Sequence, residues 1–316
     1  MNAVETKPAS SDTITQITDV LMPHRLIVDQ VQEVPGHDVA IQTIRERAGV
    51  FVDQNKPIQM ILPAFPCKSV SRRKVFGELP DKAEELSLRF LDGICKSSVR
   101  QIHSAGAELT ICSDGRVFSP IVRVSDEAVS RYSSKLEQTV DKHGFSSISL
   151  FHLENAFSGD KESIRDQLFQ DFATPIDELK AQAKQDLSLM STFRGITRFM
   201  FEETLAWDEQ QGMKRSRNQV QKDAKQRAWQ VVQASQAWSA LTDTEIFSNA
   251  LRLSIHPQAD SSHKFGVTLL PTRDSFLTPW HGVAVVNEEI GNRLVRKSDL
   301  ATNRPNRGGF LTFLSL

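Results

Sequence analysis

The chain has 316 residues, of which 39% are hydrophobic and 24% charged, an ordinary balance for one large domain or two intimate ones. A formal net charge of −1 excludes a global field that would gather nucleic acid or an anionic membrane, so any anion site has to be local. No run of about 18 apolar residues is present, the N-terminus lacks the basic start and apolar core of a secretory signal, and the three cysteines, Cys67, Cys95 and Cys112, show neither metal-type nor disulfide-type spacing, so a reduced, cytoplasmic protein is expected.

Residues 1–22 read as a polar, disordered lead-in and 23–316 as a single domain. The apolar run Ile58 to Phe65, bounded by Pro57 and Pro66, predicts a buried strand. A loop follows, and Asp81 with Glu84 three residues on predicts a capping box opening a helix. That helix buries a stripe through Ala83, Leu86, Phe90, Ile94 and Ile102. Ala107, Leu109 and Ile111 alternate with polar neighbours as a strand does, and Ser113-Asp114-Gly115 is a turn signal. Ser146 to Leu153 is a further strand. Residues from about 160 to 242, rich in Gln, Lys, Glu and Ala with almost no Gly or Pro, predict a helical subdomain. Strand signals return at Leu251 to Ile255, Lys264 to Leu270 and Val283 to Val286. Strands alternating with helices predict an α/β sheet with parallel pairs, mixed and completed by these late strands.

Four places carry polar groups suited to chemistry. Along the strand Leu251–His256, Arg252, Ser254 and His256 share one face, a set suited to clamping an anion and moving a proton, although the same alternation suits a solvated face. The segments Leu270–Asp274 and Thr278–Gly282 bring Trp280 beside His281, as a pocket wall with a base or as plain packing. Ser216 caps a helix whose stripe is Val220, Ala224, Ala228 and Val231, while Arg217, Lys222 and Lys225 make a basic face, either phosphate-binding or merely solvated. Lys68 and Ser69 follow the first strand, where open α/β sheets commonly hold ligands. No Gly-rich dinucleotide fingerprint, Walker loop, His-Glu-x-x-His or paired-cysteine motif occurs, which weakens readings centred on NAD(P), ATP or a metal.

These segments together resemble one family, named for pyoverdine and dityrosine biosynthesis, which contains the isocyanide synthases. The resemblance runs through Leu62-Pro63-Ala64-Phe65-Pro66-Cys67-Lys68-Ser69, Leu79-Pro80-Asp81-Lys82-Ala83-Glu84 and Ser113-Asp114-Gly115-Arg116-Val117-Phe118. It continues through Arg194-Gly195-Ile196-Thr197-Arg198-Phe199, Ser216-Arg217 with Lys222 and Lys225, Ala237-Trp238-Ser239, Arg252 to Gln258, Leu270-Pro271-Thr272 and Thr278-Pro279-Trp280-His281-Gly282. Cys67 stands where the family pattern has an aromatic or other apolar residue, and the tail after Asp299 follows the pattern only loosely.

The resemblance implies a Rossmann-like central sheet flanked by helices. It implies an isocyanide (isonitrile) synthase of secondary metabolism, converting the amino group of an L-amino acid, Tyr or Trp favoured, with ribulose 5-phosphate as one-carbon donor. Ribulose 5-phosphate is then a co-substrate, and neither a cofactor nor a metal is expected. The implied catalytic residues are His256, His281, Lys68 and Asp114. Arg252, Lys222, Lys225, Arg217, Arg194 and Ser69 would bind the sugar phosphate, and Trp280, Phe118 and Asp274 would shape the amino-acid pocket. An iron/2-oxoglutarate oxygenase or another tailoring enzyme would act next; no nucleic-acid or membrane partner is expected. Amino-acid N-formylation of the dityrosine type is the rival within the family, and a non-catalytic phosphate- or RNA-binding protein is the rival of another class.

Overall fold

The structure, a computed structural model, describes residues 9–27, 38–271, 277–286 and 291–300. Two helices, α1 (Ala9–Leu21) and α2 (Val39–Asp53), precede strand β1 (Ile58–Pro63). Helix α3 (Lys82–Gly93) starts at the expected capping box: Ala83 N–H donates to Asp81 Oδ1 at 2.8 Å, and Asp81 N–H to Glu84 Oε2 at 2.9 Å. It runs through a π-helical stretch, Ile94–Val99, into the short α4 (Arg100–Ile102). Then come β2 (Ala107–Cys112), α5 (Gly115–Val122), α6 (Asp126–His143), β3 (Ile148–Phe151) and α7 (Leu153–Ala156). Helices α8 (Lys161–Phe172), α9 (Ile176–Gln182), α10 (Leu187–Gln210) and α11 (Arg217–Thr242) fill the Gln- and Ala-rich stretch. Strands β4 (Leu251–Ser254), β5 (Phe265–Gly266), β6 (Val283–Val285) and β7 (Arg293–Val295) close the described chain.

The main sheet has the order β3-β2-β1-β4-β5, with every pairing parallel. A parallel strand is buried on both faces, and alternation along it decides which core each side chain enters. Met60 and Leu62 of β1, Leu109 and Ile111 of β2, and Leu251 and Leu253 of β4 enter the core shared with α1, α2, α3 and α6. Ile61 and Cys112 face the opposite core, built with α5, α8 and α11. Strands β2 and β4 flank β1 on opposite sides, so the chain reverses direction across β1. The carboxyl ends of β1 and β4 therefore border the crevice where such sheets bind ligands.

The α/β class is as expected, with two differences in detail. Residues 1–22 are not all an unstructured lead-in: Ala9–Leu21 is helical, and Ile17 and Leu21 enter the core because Ile14, Ile17 and Leu21 recur at helical spacing. The late strands do not all join one mixed sheet. Of Lys264 to Leu270 only Phe265–Gly266 pairs with β4, and β6 forms a separate antiparallel ribbon with β7. The cause is a covered edge. Arg25 bridges to Val267, Leu26 N–H donates to the Gly266 carbonyl at 2.9 Å, and Thr268 N–H donates to the His24 carbonyl at 2.9 Å. Ion pairs from Arg25 to Asp38 and Asp260 hold that covering segment in place.

Candidate active site

At the end of β1 the chain turns through Phe65, whose φ of 56° is left-handed, an uncommon state for a bulky residue. Ser113 Oγ, at the end of β2, donates to the Phe65 carbonyl at 2.8 Å and fixes this turn. A Cβ on Gly115 would stand 1.9 Å from the Pro66 carbonyl oxygen, so only glycine lets the start of α5 lie this close to the loop. The approach carries Asp114 to the crevice. Its Oδ1 is sealed from solvent without a hydrogen-bond partner, and burial raises its pKa to about 7 against the pull of its own backbone amide.

Lys68 lies wholly inside the protein. Its ammonium contacts Glu84 Oε2 at 2.8 Å, Asp81 Oδ2 at 3.0 Å and the Pro279 carbonyl at 3.0 Å. An ammonium has three N–H donors, and these three acceptors use them all. Lys68 thus ties the β1 loop, the α3 cap and the turn before His281 together. Tyr132 of α6 donates to Glu84 Oε1 at 3.2 Å. Burial raises the Glu84 pKa to about 7, with Lys68 opposing the rise.

Ser69 Oγ donates to both oxygens of Glu203 on α10, at 3.0 and 2.8 Å. Lys74 Nζ reaches Glu203 Oε1 at 2.6 Å and lies 4.7 Å from the centroid of the Phe199 ring. The other side of that aromatic contact is His281, edge-on to Phe199 at 5.0 Å and 2.9 Å from Thr278 Oγ1 through Nδ1. Burial, then Lys74, Lys68 and His256, depress the His281 pKa to about 3. The field of His256 at His281 places the ends of β4 and of the Pro279–His281 turn on one crevice. Burial also lowers the pKa of His256, although part of its ring surface remains exposed. Asp114 and Glu203 both act on Cys67, whose thiol burial and these carboxylates push up to about 12, so it is no nucleophile near neutral pH.

A depressed histidine pKa has a sign. The unfolded imidazole takes up a proton near 6.5 while the folded one refuses it until about 3, so His281 costs stability as pH falls below 6.5. The carbon-bound ring protons of His281 are expected to keep neutral-imidazole NMR shifts from about pH 5 to 8, where a free histidine would titrate. A midpoint near 6.5 would contradict this environment.

Not every expected site residue gathers here. Arg252 faces the α11 core: its guanidinium bonds Thr242, Asp243 Oδ1 at 2.9 Å and Ser239 Oγ at 3.1 Å, at the carboxyl end of α11. Arg217, Lys222, Lys225 and Arg194 are exposed on α10 and α11. Among the described residues no hydrogen bond or ion pair joins these four to Lys68, Asp114 or His281; Arg217 lies over Phe201 at 5.9 Å. Trp280 is buried against Phe65, ring centroids 5.2 Å apart, and Phe118 packs on the α11 core. Asp274 falls outside the described residues. Lys74 and Glu203 were not anticipated. The one available signal was a carboxylate in the inward stripe of α10 beside Met200 and Thr204, a position that demands a buried partner.

A family model described as Pyoverdine/dityrosine biosynthesis protein matches residues 49–307. The L-tyrosine isonitrile synthase of Xenorhabdus nematophila is 42% identical over 269 residues, covering 83% of this chain and 77% of that one. The L-tryptophan isonitrile synthase AmbI1 of Fischerella ambigua is 36% identical, covering 79% and 80%. The crystal structure of the PvcA protein from Pseudomonas aeruginosa superposes with a TM-score of 0.84 at 36% identity, over 92% of this chain and 94% of that one. Sequence, fold and a crevice at the ends of β1 and β4 agree: the chain belongs to the pyoverdine/dityrosine biosynthesis protein family.

Proposed function

We propose that this protein is an isocyanide synthase that converts the amino group of an L-amino acid, Tyr or Trp favoured, to an isonitrile with ribulose 5-phosphate as the one-carbon donor. The observation that carries the reading is Asp114, a carboxyl held near a pKa of 7 without a partner, in a chain whose relatives are named isonitrile synthases. The donor sugar and the setting in secondary metabolism rest on family resemblance alone.

The proposed route begins with attack of the amine on the sugar ketone, and loss of water forms an imine. Proton transfers, phosphate loss and carbon–carbon cleavage then leave the ketone carbon on nitrogen. An ammonium must first lose a proton, and a base with a pKa near 7 is best matched to that task at neutral pH. Asp114 fits this role, while His281 is neutral and serves as a hydrogen-bonding imidazole rather than as a cation. Positive charge at the developing carbanion falls to Lys74, which keeps two N–H donors beyond its short contact with Glu203 Oε1 and its longer 3.7 Å contact with Glu202.

Incubation of the full chain with each proteinogenic amino acid and ribulose 5-phosphate is expected to yield one product carrying a single sugar carbon, detected by mass after mild work-up. Absence of any such product ends the synthase reading. A product heavier than the isocyanide by one water and formed without acid identifies formylation instead.

A further inference from the structure

A cavity of about 400 Å³ opens beside the Ser69–Glu203 pair, and nothing in the expected site assigns it. Its inner end is formed by Cys67, Lys68 and Ser69, and its walls include Phe76, Arg123, Val124 and Trp207. The volume is that of a small-molecule pocket rather than of a packing defect. Two features give it a chemistry.

The first is charge. Arg123 ends α5 in a left-handed conformation with φ of 61°, which aims its side chain towards α10 and α11. There it pairs with Asp223 at 2.6 Å and stands 4.0 Å from Asp208. Arg215 spans the same two aspartates at 2.6 and 3.2 Å, and Arg227 lies 3.4 Å from Asp223. Three arginines therefore meet two aspartates, leaving one positive charge in excess, and Arg123 is the member of this cluster that lines the cavity. Its Nη1 has no hydrogen-bond partner. On the opposite wall Arg131 is already neutralised by Glu78 at 3.0 Å.

The second is aromatic surface. The Trp207 ring lies 5.7 Å from the Arg123 guanidinium, and Phe76 stands at the rim with 45% of its surface exposed. One surplus cation beside two aromatic rings matches a carboxylate carried on an aromatic side chain. A sugar phosphate, with close to two negative charges and no apolar surface, matches it poorly.

We propose that this cavity is the binding site of the amino-acid substrate, with its carboxylate at Arg123, its aromatic side chain against Trp207 and Phe76, and its α-amine turned towards Ser69 and Glu203. This rests on the isocyanide synthase reading for the identity of the reaction, but the site itself is tested by binding alone. Titration calorimetry of the full chain uses L-tyrosine, L-tryptophan and inorganic phosphate as separate probes, on the parent protein and on Trp207→Ala and Phe76→Ala. Both variants remove a side chain from the cavity wall and leave the arginine–aspartate cluster intact. The amino-acid Kd and KM are expected to rise about ten-fold in Trp207→Ala, as expected for loss of an aromatic wall, with the KM for ribulose 5-phosphate unchanged.

Unchanged amino-acid Kd in both variants overturns the assignment, and so does a rise confined to phosphate binding or to the sugar KM. If the parent binds an aromatic amino acid and the variants lose it while no isocyanide forms, the cavity assignment stands and the reaction reading falls. If isocyanide forms equally well in all three proteins, the reaction stands and the cavity assignment falls.

Discussion

Replacing Asp114 with Asn is expected to lower turnover about 100-fold or more, the usual contribution of a positioned general base, while making the protein more stable above pH 7. Both effects share one cause. Burial lifts the carboxyl from 3.8 to about 7, so the folded state holds a proton that the unfolded state has released. The sign follows from linkage. A carboxyl raised in the fold contributes its stability fully below 3.8 and loses it as pH rises towards 7. The amide carries no such penalty, so the stability gap between Asp114→Asn and the parent should open from pH 4 to pH 7 and then level off. Urea denaturation across that range measures it. In the parent, kcat/KM should climb through a midpoint near 7, and the variant's residual rate should lack that limb. Parent-level turnover in Asp114→Asn would remove Asp114 from the reaction.

The Lys68→Met variant is expected to lose about 3–5 kcal/mol of stability, the cost of leaving a buried carboxylate without its cation. Glu84 would then face Tyr132 and the Asp81 amide with no positive charge near enough to offset its burial. The loss should shrink on acidification, because Glu84 can shed its charge by taking up a proton. Adding Glu84→Gln removes the stranded charge, so Lys68→Met/Glu84→Gln should be more stable than Lys68→Met alone at pH 8. Such non-additivity is the mark of two groups in direct contact. It also separates two roles for Lys68. With all three N–H donors spent on protein acceptors, Lys68 is a positioning residue for the turn that carries His281. The folded double variant should therefore retain measurable turnover. Complete inactivity in a stable double variant would place the ammonium on substrate.

The parts of the fold legible from sequence are those set by short-range rules. β1 shows as an apolar run between prolines because a central parallel strand is buried on both sides. The start of α3 shows because a capping box needs only residues three apart. The Ser216 cap of α11 is equally local, closed by Gln219. The fate of Val283 to Val286 was not legible. Whether an apolar run joins a sheet depends on whether an edge is free, and residues 25–27, far away in sequence, cover the edge of β5. The charged residues divide in the same way. Arg252 reads as an anion clamp on its own strand, but the face it shares is closed by the end of α11, whose carbonyl dipole and Asp243 take the cation. Lys68 reads as a loop lysine, and only the arrival of α3 and of the Pro279 turn makes it a buried three-way tie.

By itself the sequence determined an α/β chain with its central strand, its principal caps and a family resemblance that places chemistry near Lys68, Asp114, His256 and His281. Tertiary structure alone decided the electrostatics of that chemistry. It set Asp114 near a pKa of 7, held His281 neutral, and joined Ser69 to a glutamate 134 residues away. It also opened a cavity lined by Arg123 and Trp207, which no local pattern connects. The reason is physical: periodicity and capping act over a few residues, whereas desolvation and ion pairing depend on which distant segments exclude water from a group.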